Sequence, residues 1–311
     1  MRPAPWKILL ATLIPILCAL PAAAQDAPAT DAAETETTAV RDAAPAAGGA
    51  DRASEPATAA EGEAAEAPAA AAPPLALVVN IPAGRLDVLR DGEVVESFPV
   101  SVGTAKHPTL MGSYEVQKAV WNPWWHPPKS FWARNEKPTP PGPRNPMGRV
   151  KLFYEPLYFI HGTTEEGKLG RPASHGCVRM ANDDVVALAM LLHEHTTPAI
   201  GRDRLEEIAA ARTKTREIPF ERTVPLWIDY ELVEVAAGQI VVHPDVYRRG
   251  GGREQLAARI VDALAANGVA ADTVDREQVA LLADEAGKTG GSRPLAELVA
   301  SSTVAAAAVG R

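Results

Sequence analysis

Cysteine is nearly absent, with two in 311 residues. That excludes a disulfide-dense scaffold and any zinc module built on four cysteines. Positive charge is also in deficit: 31 Lys and Arg stand against 39 Asp and Glu, for a formal net charge of −8. A basic footprint is missing, so nucleic acid is excluded as a partner on charge. No internal repeat is visible, which argues against a solenoid. No apolar run reaches the ~20 residues that span a bilayer. The run Ile8 to Leu20 has 13 residues and is interrupted by Pro15.

That short run has a use of its own. Arg2 and Lys7 precede it, and Ala22-Ala23-Ala24 offers a small-x-small cleavage site before Gln25. Residues 1–24 thus read as a secretory signal, the alternative being an uncleaved N-terminal anchor. Leu17 is bulky where a lipoprotein signal has a small residue, which sets lipid attachment on Cys18 aside. Cleavage leaves Cys177 as the only thiol, unable to form an intramolecular disulfide, and asks for a reactive or intermolecular role. Residues 25–74 hold twenty-one alanines and ten acids against Arg41 and Arg52, no aromatic residue, and Val40 as the only large aliphatic. Such a segment cannot bury enough apolar surface to offset chain entropy, and it reads as a disordered acidic spacer. The mature chain is expected to be soluble beyond the membrane, with no stable span.

Order is expected from Leu75. Leu77 to Ile81, Arg85 to Leu89, Glu93 to Val102, Gly112 to Val116, Gly148 to Phe153 and Leu157 to Ile160 read as strands, with Asp91-Gly92 as a hairpin turn. Short, turn-punctuated strands with no long helical periodicity before residue 182 mark an antiparallel sandwich or barrel. Asn182 is a favoured N-cap, and Val185, Leu188 and Leu192 share one helical face that Pro198 closes. Residues 202–212 suggest a second, polar helix, and Val224 to Tyr230 a late strand. Residues 75–230 therefore form the expected core domain. Residues 231–311 form an extension of unassigned role with weak helical periodicity, including Gln255 to Ala266. His193-x-His195 reads as an exposed helix end, where cations are favoured.

The chemistry concentrates in Ile160 to Met180. His161-Gly162-Thr163 follows a strand, and Ser174-His175-Gly176-Cys177-Val178-Arg179-Met180 precedes a helix. Only a thiolate is a competent sulfur nucleophile, and an imidazole nearby can take the proton of a thiol whose ordinary pKa is ~8.5. Glycine beside the nucleophile lets backbone N–H groups face a developing oxyanion. Nucleophile, base and oxyanion donors are the parts of covalent acyl transfer.

His-Gly-Thr, followed sixteen residues after its histidine by the cysteine of Ser-His-Gly-Cys-Val-Arg-Met, resembles the active-site signature of the L,D-transpeptidases of the YkuD type. Pro140 to Gly148 resembles the segment before the catalytic strands in proteobacterial members. The likeness runs from about Leu77 to Ile200. It implies a mostly β, sandwich-like or barrel-like catalytic domain with one or two helices, plus a small, mainly α C-terminal tail. It implies a periplasmic or otherwise exported enzyme of cell-wall biogenesis and cell shape, needing no cofactor, with peptidoglycan stem peptides as partners. By motif position Cys177 is the nucleophile, His161 the general base, the Gly162 carbonyl the orienter of that imidazole, and the Gly176 and Cys177 N–H groups the oxyanion donors. The cysteine of this family attacks the carbonyl before the terminal D-Ala of a tetrapeptide stem. An amine then resolves the thioester, giving a 3–3 cross-link or anchoring an envelope protein. Water as acceptor makes an L,D-carboxypeptidase, and an endopeptidase could use the same site. A wall-binding module with a vestigial site is the alternative outside catalysis.

Other residues keep two readings. His175 either supports the thiolate or packs the turn. Ser174 and Arg179 are positioning groups within reach of substrate, and Arg179 either meets a substrate carboxylate or forms an internal ion pair. His161, His175 and Cys177 have residue types that suit zinc, but no fourth ligand has the right spacing, so no metal is expected. Between Trp121 and Met147 lie four of the six tryptophans and eight prolines. That composition predicts a rigid loop. It either walls the Cys177 cleft, with Trp124 and Trp125 on the substrate, or folds its tryptophans onto the sheet as a satellite core.

Overall fold

The computed structural model describes residues 74–287 and 289–300. The signal reading of residues 1–24, and the spacer reading up to residue 73, lie outside the described residues. Strand β1 (Leu75–Asn80) pairs antiparallel with β2 (Arg85–Arg90), and β2 with β3 (Glu93–Pro99). Asp91 and Gly92 join β2 to β3 with φ of +51° and +88°. Two positive φ values in a two-residue loop match the twist of a hairpin, which is why Asp-Gly stands there. Next come β4 (Gly112–Trp121), β5 (Val150–Glu155), β6 (Tyr158–Gly162), β7 (Val178–Met180) and β8 (Arg216–Asp229). One eight-stranded sheet results, in the order β3-β2-β1-β8-β4-β5-β6-β7. Its two ends meet where Ser101, just past β3, exchanges both backbone hydrogen bonds with Arg179 of β7 at 2.8 Å. The sheet is therefore mostly antiparallel and nearly closed, like a barrel.

Alternation along the strands explains the core. Val116, Leu152, Ile160, Val178, Met180, Leu226 and Ile228 are buried on the inner side. Helix α1 (Asn182–Thr196) covers them with Val185, Leu188, Ala189 and Leu192. Each such side chain contributes roughly 1.5–3 kcal/mol relative to exposure. Strand β1 is buried on both sides because Ala76, Val78 and Leu89 form a second small cluster behind it. The short polar helix α2 is Arg202–Ala210.

Two local readings are corrected. Asn182 does not cap α1, whose N-cap is Ala181. Its side chain instead bonds across the sheet end, Oδ1 accepting from Arg149 N–H (2.9 Å) and Nδ2 donating to the Thr163 carbonyl (2.7 Å). His193 is not at an exposed helix end but wholly buried. Its Nε2 accepts the Trp121 indole N–H at 3.2 Å, and its ring meets Phe220 edge-on. A buried indole N–H needs an acceptor, and an imidazole in the core supplies one.

Beyond β8 the chain builds a second core. Helices α3 (Arg253–Ala266) and α4 (Arg276–Ala286) fit the helical periodicity; alternation had not revealed the three-stranded sheet β11-β10-β9 that joins them. Its strands are β9 (Val233–Ala236), β10 (Gln239–Val242) and β11 (Gly291–Pro294). Ile240, Ile260, Leu264, Leu282 and Leu298 are buried between sheet and helices. Glu234 ties this unit to the first hairpin, accepting from Asn80 Nδ2 (2.5 Å) and Arg85 Nη1 (3.0 Å). Burial alone would raise the Glu234 carboxyl, but His243 and Arg85 hold it down at about 2. No helix among the described residues is long and apolar enough to cross a membrane.

Candidate active site

Register alone assembles one wall of the site. Lys151 of β5 lies directly opposite His161 of β6, and His161 lies opposite Arg179 of β7. Directly paired residues point to the same face, and so do residues two apart on one strand. Phe153 and Phe159, each two residues from a member of that row, therefore face the same way, while Cys177 stands in the turn before β7, its thiol near the Phe159 N–H. Phe153 and Phe159 meet edge-on with centroids 4.6 Å apart, and Lys151 Nζ stands 4.6 Å from both rings. His161 is buried, and its Nδ1 lies 2.7 Å from the Gly162 carbonyl. That bond places the proton on Nδ1 and leaves Nε2 as an acceptor. Gly162 and Gly148 have a reason to be glycine: a Cβ on either would overlap Asn182 Oδ1.

Cys177 sits one residue before β7, in a turn held by its own side chains. Ser174 Oγ donates to the Cys177 carbonyl (2.6 Å) and accepts from the Gly176 N–H (3.0 Å). Gly176 has φ +117°, and a Cβ there would stand 3.0 Å from Tyr158 Cε1. Both facts demand glycine. The Gly176 N–H is thus taken within the turn, and of the two expected oxyanion donors the Cys177 N–H is the one no such bond claims. The thiol is half-buried, with Sγ 3.7 Å from the Leu157 carbonyl. Thr109 Oγ1 donates to the Gly176 carbonyl (2.9 Å), and Thr104 N–H to the Ser174 carbonyl (3.0 Å).

Two cations, Lys151 and Arg179, act on both groups and lower both. Burial pushes the His161 imidazole down to about 3, helped by Arg179 and Lys151 and opposed by the Gly162 carbonyl. Burial pushes the Cys177 thiol up, while the Phe159 N–H, Arg179 and Lys151 pull it down without cancelling that rise. Burial disfavours both charged forms. Both shifts favour the thiol and the neutral imidazole over an ion pair.

The remaining expected residues fall around this pair. His175 is exposed, with Trp132 stacked on it at 4.2 Å and His107 at 4.8 Å. Arg179 Nη1 pairs with Glu165 Oε2 at 2.8 Å, the internal ion pair. Ser174 is buried with its hydroxyl engaged in the turn. Trp124 stacks on His126, and Trp125 is paired through its backbone with Thr139. Trp132, on a single 3-10 turn (Phe131–Ala133), is the tryptophan that meets the catalytic turn, and Trp121 belongs to the core. Among the described residues, no three His, Cys, Asp or Glu side chains gather where they could hold a metal ion. Lys151, Thr109 and Asn182 join the site by cross-strand or cross-loop contact. Only Lys151 leaves a trace in the sequence, as a cation within an apolar strand.

The family model of the L,D-transpeptidase catalytic domain, YkuD, matches residues 74–200. YqjB of Bacillus subtilis, assigned to the L,D-transpeptidases, is 30% identical over 156 residues, covering 47% of this chain and 84% of that protein. The chain belongs to the YkuD-type L,D-transpeptidase family. ErfK/SrfK of Escherichia coli, assigned to the same activity, is 28% identical over 207 residues, or 58% of this chain and 67% of the relative. The Fuscovulum blasticum relative from the ATP synthase subunits region is 37% identical over 97 residues, and the match spans about half of it, 51%. Among solved structures, an L,D-transpeptidase from Mycobacterium smegmatis aligns with 50% of this chain and 58% of its own at 16% identity, with a TM-score of 0.32. The L,D-transpeptidase match ends at residue 200, although β8 completes the same sheet and the tail touches the loop that holds the Cys177 turn.

Proposed function

We propose that this protein is an exported cysteine L,D-transpeptidase that acts on peptidoglycan stem peptides. In this reading residues 1–24 are the export signal, residues 25–74 the spacer, residues 75–230 the catalytic domain, and the site works outside the cytoplasmic membrane. The observation that supports it is the buried His161, its Nδ1 held at 2.7 Å by the Gly162 carbonyl, beside the same two cations, Lys151 and Arg179, that act on the Cys177 thiol. As Cys177 Sγ attacks the carbonyl before the terminal D-Ala, His161 Nε2 takes the thiol proton. Charge on the carbonyl oxygen is met by the Cys177 N–H, with Lys151 and Arg179 lending positive potential to the face. His161 returns the proton to the leaving D-Ala amine, and an acyl-thioester remains on Cys177. An acceptor amine then attacks the thioester, giving its proton to His161 as the carbon–sulfur bond breaks, and His161 passes that proton to the departing Cys177 thiolate, so the acyl group ends on the amine as a cross-link or a tethered envelope protein.

Mature protein is incubated with a disaccharide-tetrapeptide, with and without an amine acceptor. The expected products are free D-Ala, a Cys177 thioester seen by mass spectrometry, and an amide when the amine is present. The Cys177→Ala variant should fold and lose all three. D-Ala release by that variant removes Cys177 from the mechanism. Hydrolysis alone, amine or not, makes the enzyme a carboxypeptidase.

A further inference from the structure

The tail reaches the loop that holds the Cys177 turn through one hydroxyl. Tyr247 Oη donates to the Gly103 carbonyl (2.7 Å) and accepts from the Thr109 N–H (3.0 Å). It therefore clasps both ends of the loop 103–109. That loop is wound on itself: a Cβ at Gly103 would overlap the His107 carbonyl, and Gly103 N–H donates to Thr109 Oγ1 (2.8 Å). Thr109 is 1% exposed. The same Thr109 hydroxyl donates to the Gly176 carbonyl, and Thr104 N–H holds the Ser174 carbonyl. His107, at the loop's crest, lays its ring 4.8 Å from His175. Two hydrogen bonds, from Thr109 and from Thr104, thus join the loop that Tyr247 clasps to the backbone beside Cys177.

Tyr247 is itself built into place. Asp245 Oδ1 accepts from Tyr230 Oη (2.6 Å) and Arg249 N–H (2.8 Å), and Oδ2 accepts from Gly250 N–H (2.8 Å). Tyr230 Oη in turn accepts the Tyr247 N–H (2.7 Å), and the two rings stack at 5.6 Å. This turn follows β10, so the second core fixes where it stands. A hydroxyl is the one side-chain group that can donate to Gly103 and accept from Thr109 through a single atom. Loss of it leaves two backbone groups of a tightly wound loop without partners.

We infer that the C-terminal extension braces the catalytic turn, with Tyr247 as the positioning residue that carries the brace to the Gly176–Cys177 peptide through Thr109. The inference rests on the acyl-transfer reading above, because what it holds in register is the turn that presents the thiol and the oxyanion donor. The extension then sets the rate of acylation without touching substrate.

The test is Tyr247→Phe in the full mature chain. At saturating tetrapeptide the acylation rate constant should fall about tenfold, the scale of one lost buried hydrogen bond, while KM moves less than about twofold. Alkylation of Cys177 by iodoacetamide builds no oxyanion and should stay within about twofold of the parent. Acylation that does not change, or alkylation that falls in parallel, overturns the brace. Thr109 supplies the second arm: Thr109→Ser, which keeps the hydroxyl, should acylate like the parent, and Thr109→Val should behave like Tyr247→Phe. Equal rates for Ser and Val overturn it. Hydrogen exchange at the Thr109 amide does not depend on the reaction. It should quicken in Tyr247→Phe, and an unchanged amide overturns the brace. A parent protein that takes no acyl group from any stem peptide removes the acyl-transfer reading and leaves this exchange measurement to judge the contact.

Discussion

His161 and Cys177 both lie near Lys151 and Arg179 but are held by opposite means. His161 is a strand residue, paired on both sides by Lys151 and Arg179, with its ring fixed by the carbonyl of the next residue. Moving it requires breaking the sheet. Cys177 lies just outside a three-residue strand, in a turn whose carbonyls are held by Thr104 and Thr109 from a loop some seventy positions away. Moving it requires only that a loop relax. His161 is thus a fixed point and Cys177 an adjustable one. Substitutions around the two should differ in kind: those near His161 alter chemistry or fold, and those near Cys177 alter geometry by degrees.

The largest effect comes from the fixed side. His161→Gln keeps a polar side chain on β6 but removes the acceptor for the thiol proton. Acylation by tetrapeptide should fall by about 10²–10⁴-fold, the usual contribution of a general base, in a mass-spectrometric time course. Iodoacetamide at high pH should still modify Cys177 at close to the parent rate. A loss below about tenfold would mean that the imidazole is not the base.

A smaller effect separates the two partners by pH. His161 is held near 3, so it stays neutral from mildly acidic pH upward and contributes no step around pH 6. Cys177 is raised above the ordinary thiol value, so its thiolate grows only on the alkaline side. Alkylation of the parent should therefore climb about tenfold per pH unit from pH 6 to beyond 8.5, as one titration. Lys151→Met removes a cation that lowers the thiol, and should move that rise to still higher pH. A plateau near pH 6–7 would instead reveal a thiolate–imidazolium pair.

The fixed side was largely legible in sequence and the adjustable side was not. His161 and Gly162 stand in one motif at a strand end, and alternation in β5 and β6 follows from apolar spacing; Cys177 itself is marked by its own motif, but the loop that holds its turn is not. Strand β8 was read only from Val224, because Pro219 and Pro225 interrupt a strand that in fact starts at Arg216. A register shift between Val116 and Lys118 of β4 accommodates it. Asn182 was misassigned because a helix-start asparagine looks alike whether it caps its own helix or ties down Arg149 and Thr163. His193 was misassigned because sequence does not show that Trp121 needs an acceptor in the core. Thr109 and Tyr247 left no sequence signal, since their partners are 67 and 144 positions away.

The aromatic loop puts the comparison to its smallest test, because it touches only the adjustable side. Trp132 has one face against His175 and is 43% exposed, so its outer face remains open to a ligand. Trp124 is as exposed, at 46%, but stacks on His126 within its own loop. Stacking contacts contribute roughly 0.5–1.5 kcal/mol, so Trp132→Ala should raise KM for tetrapeptide about two- to tenfold. The rate constant at saturation should change less, because neither the thiol nor the imidazole moves. Trp124→Ala should raise KM by a smaller factor. Thermal unfolding of both variants separates binding from packing, and a satellite-core role for Trp132 would show as lost stability at constant KM. A larger KM effect from Trp124 than from Trp132 would place the peptide along the far end of the loop, away from the turn that carries Cys177.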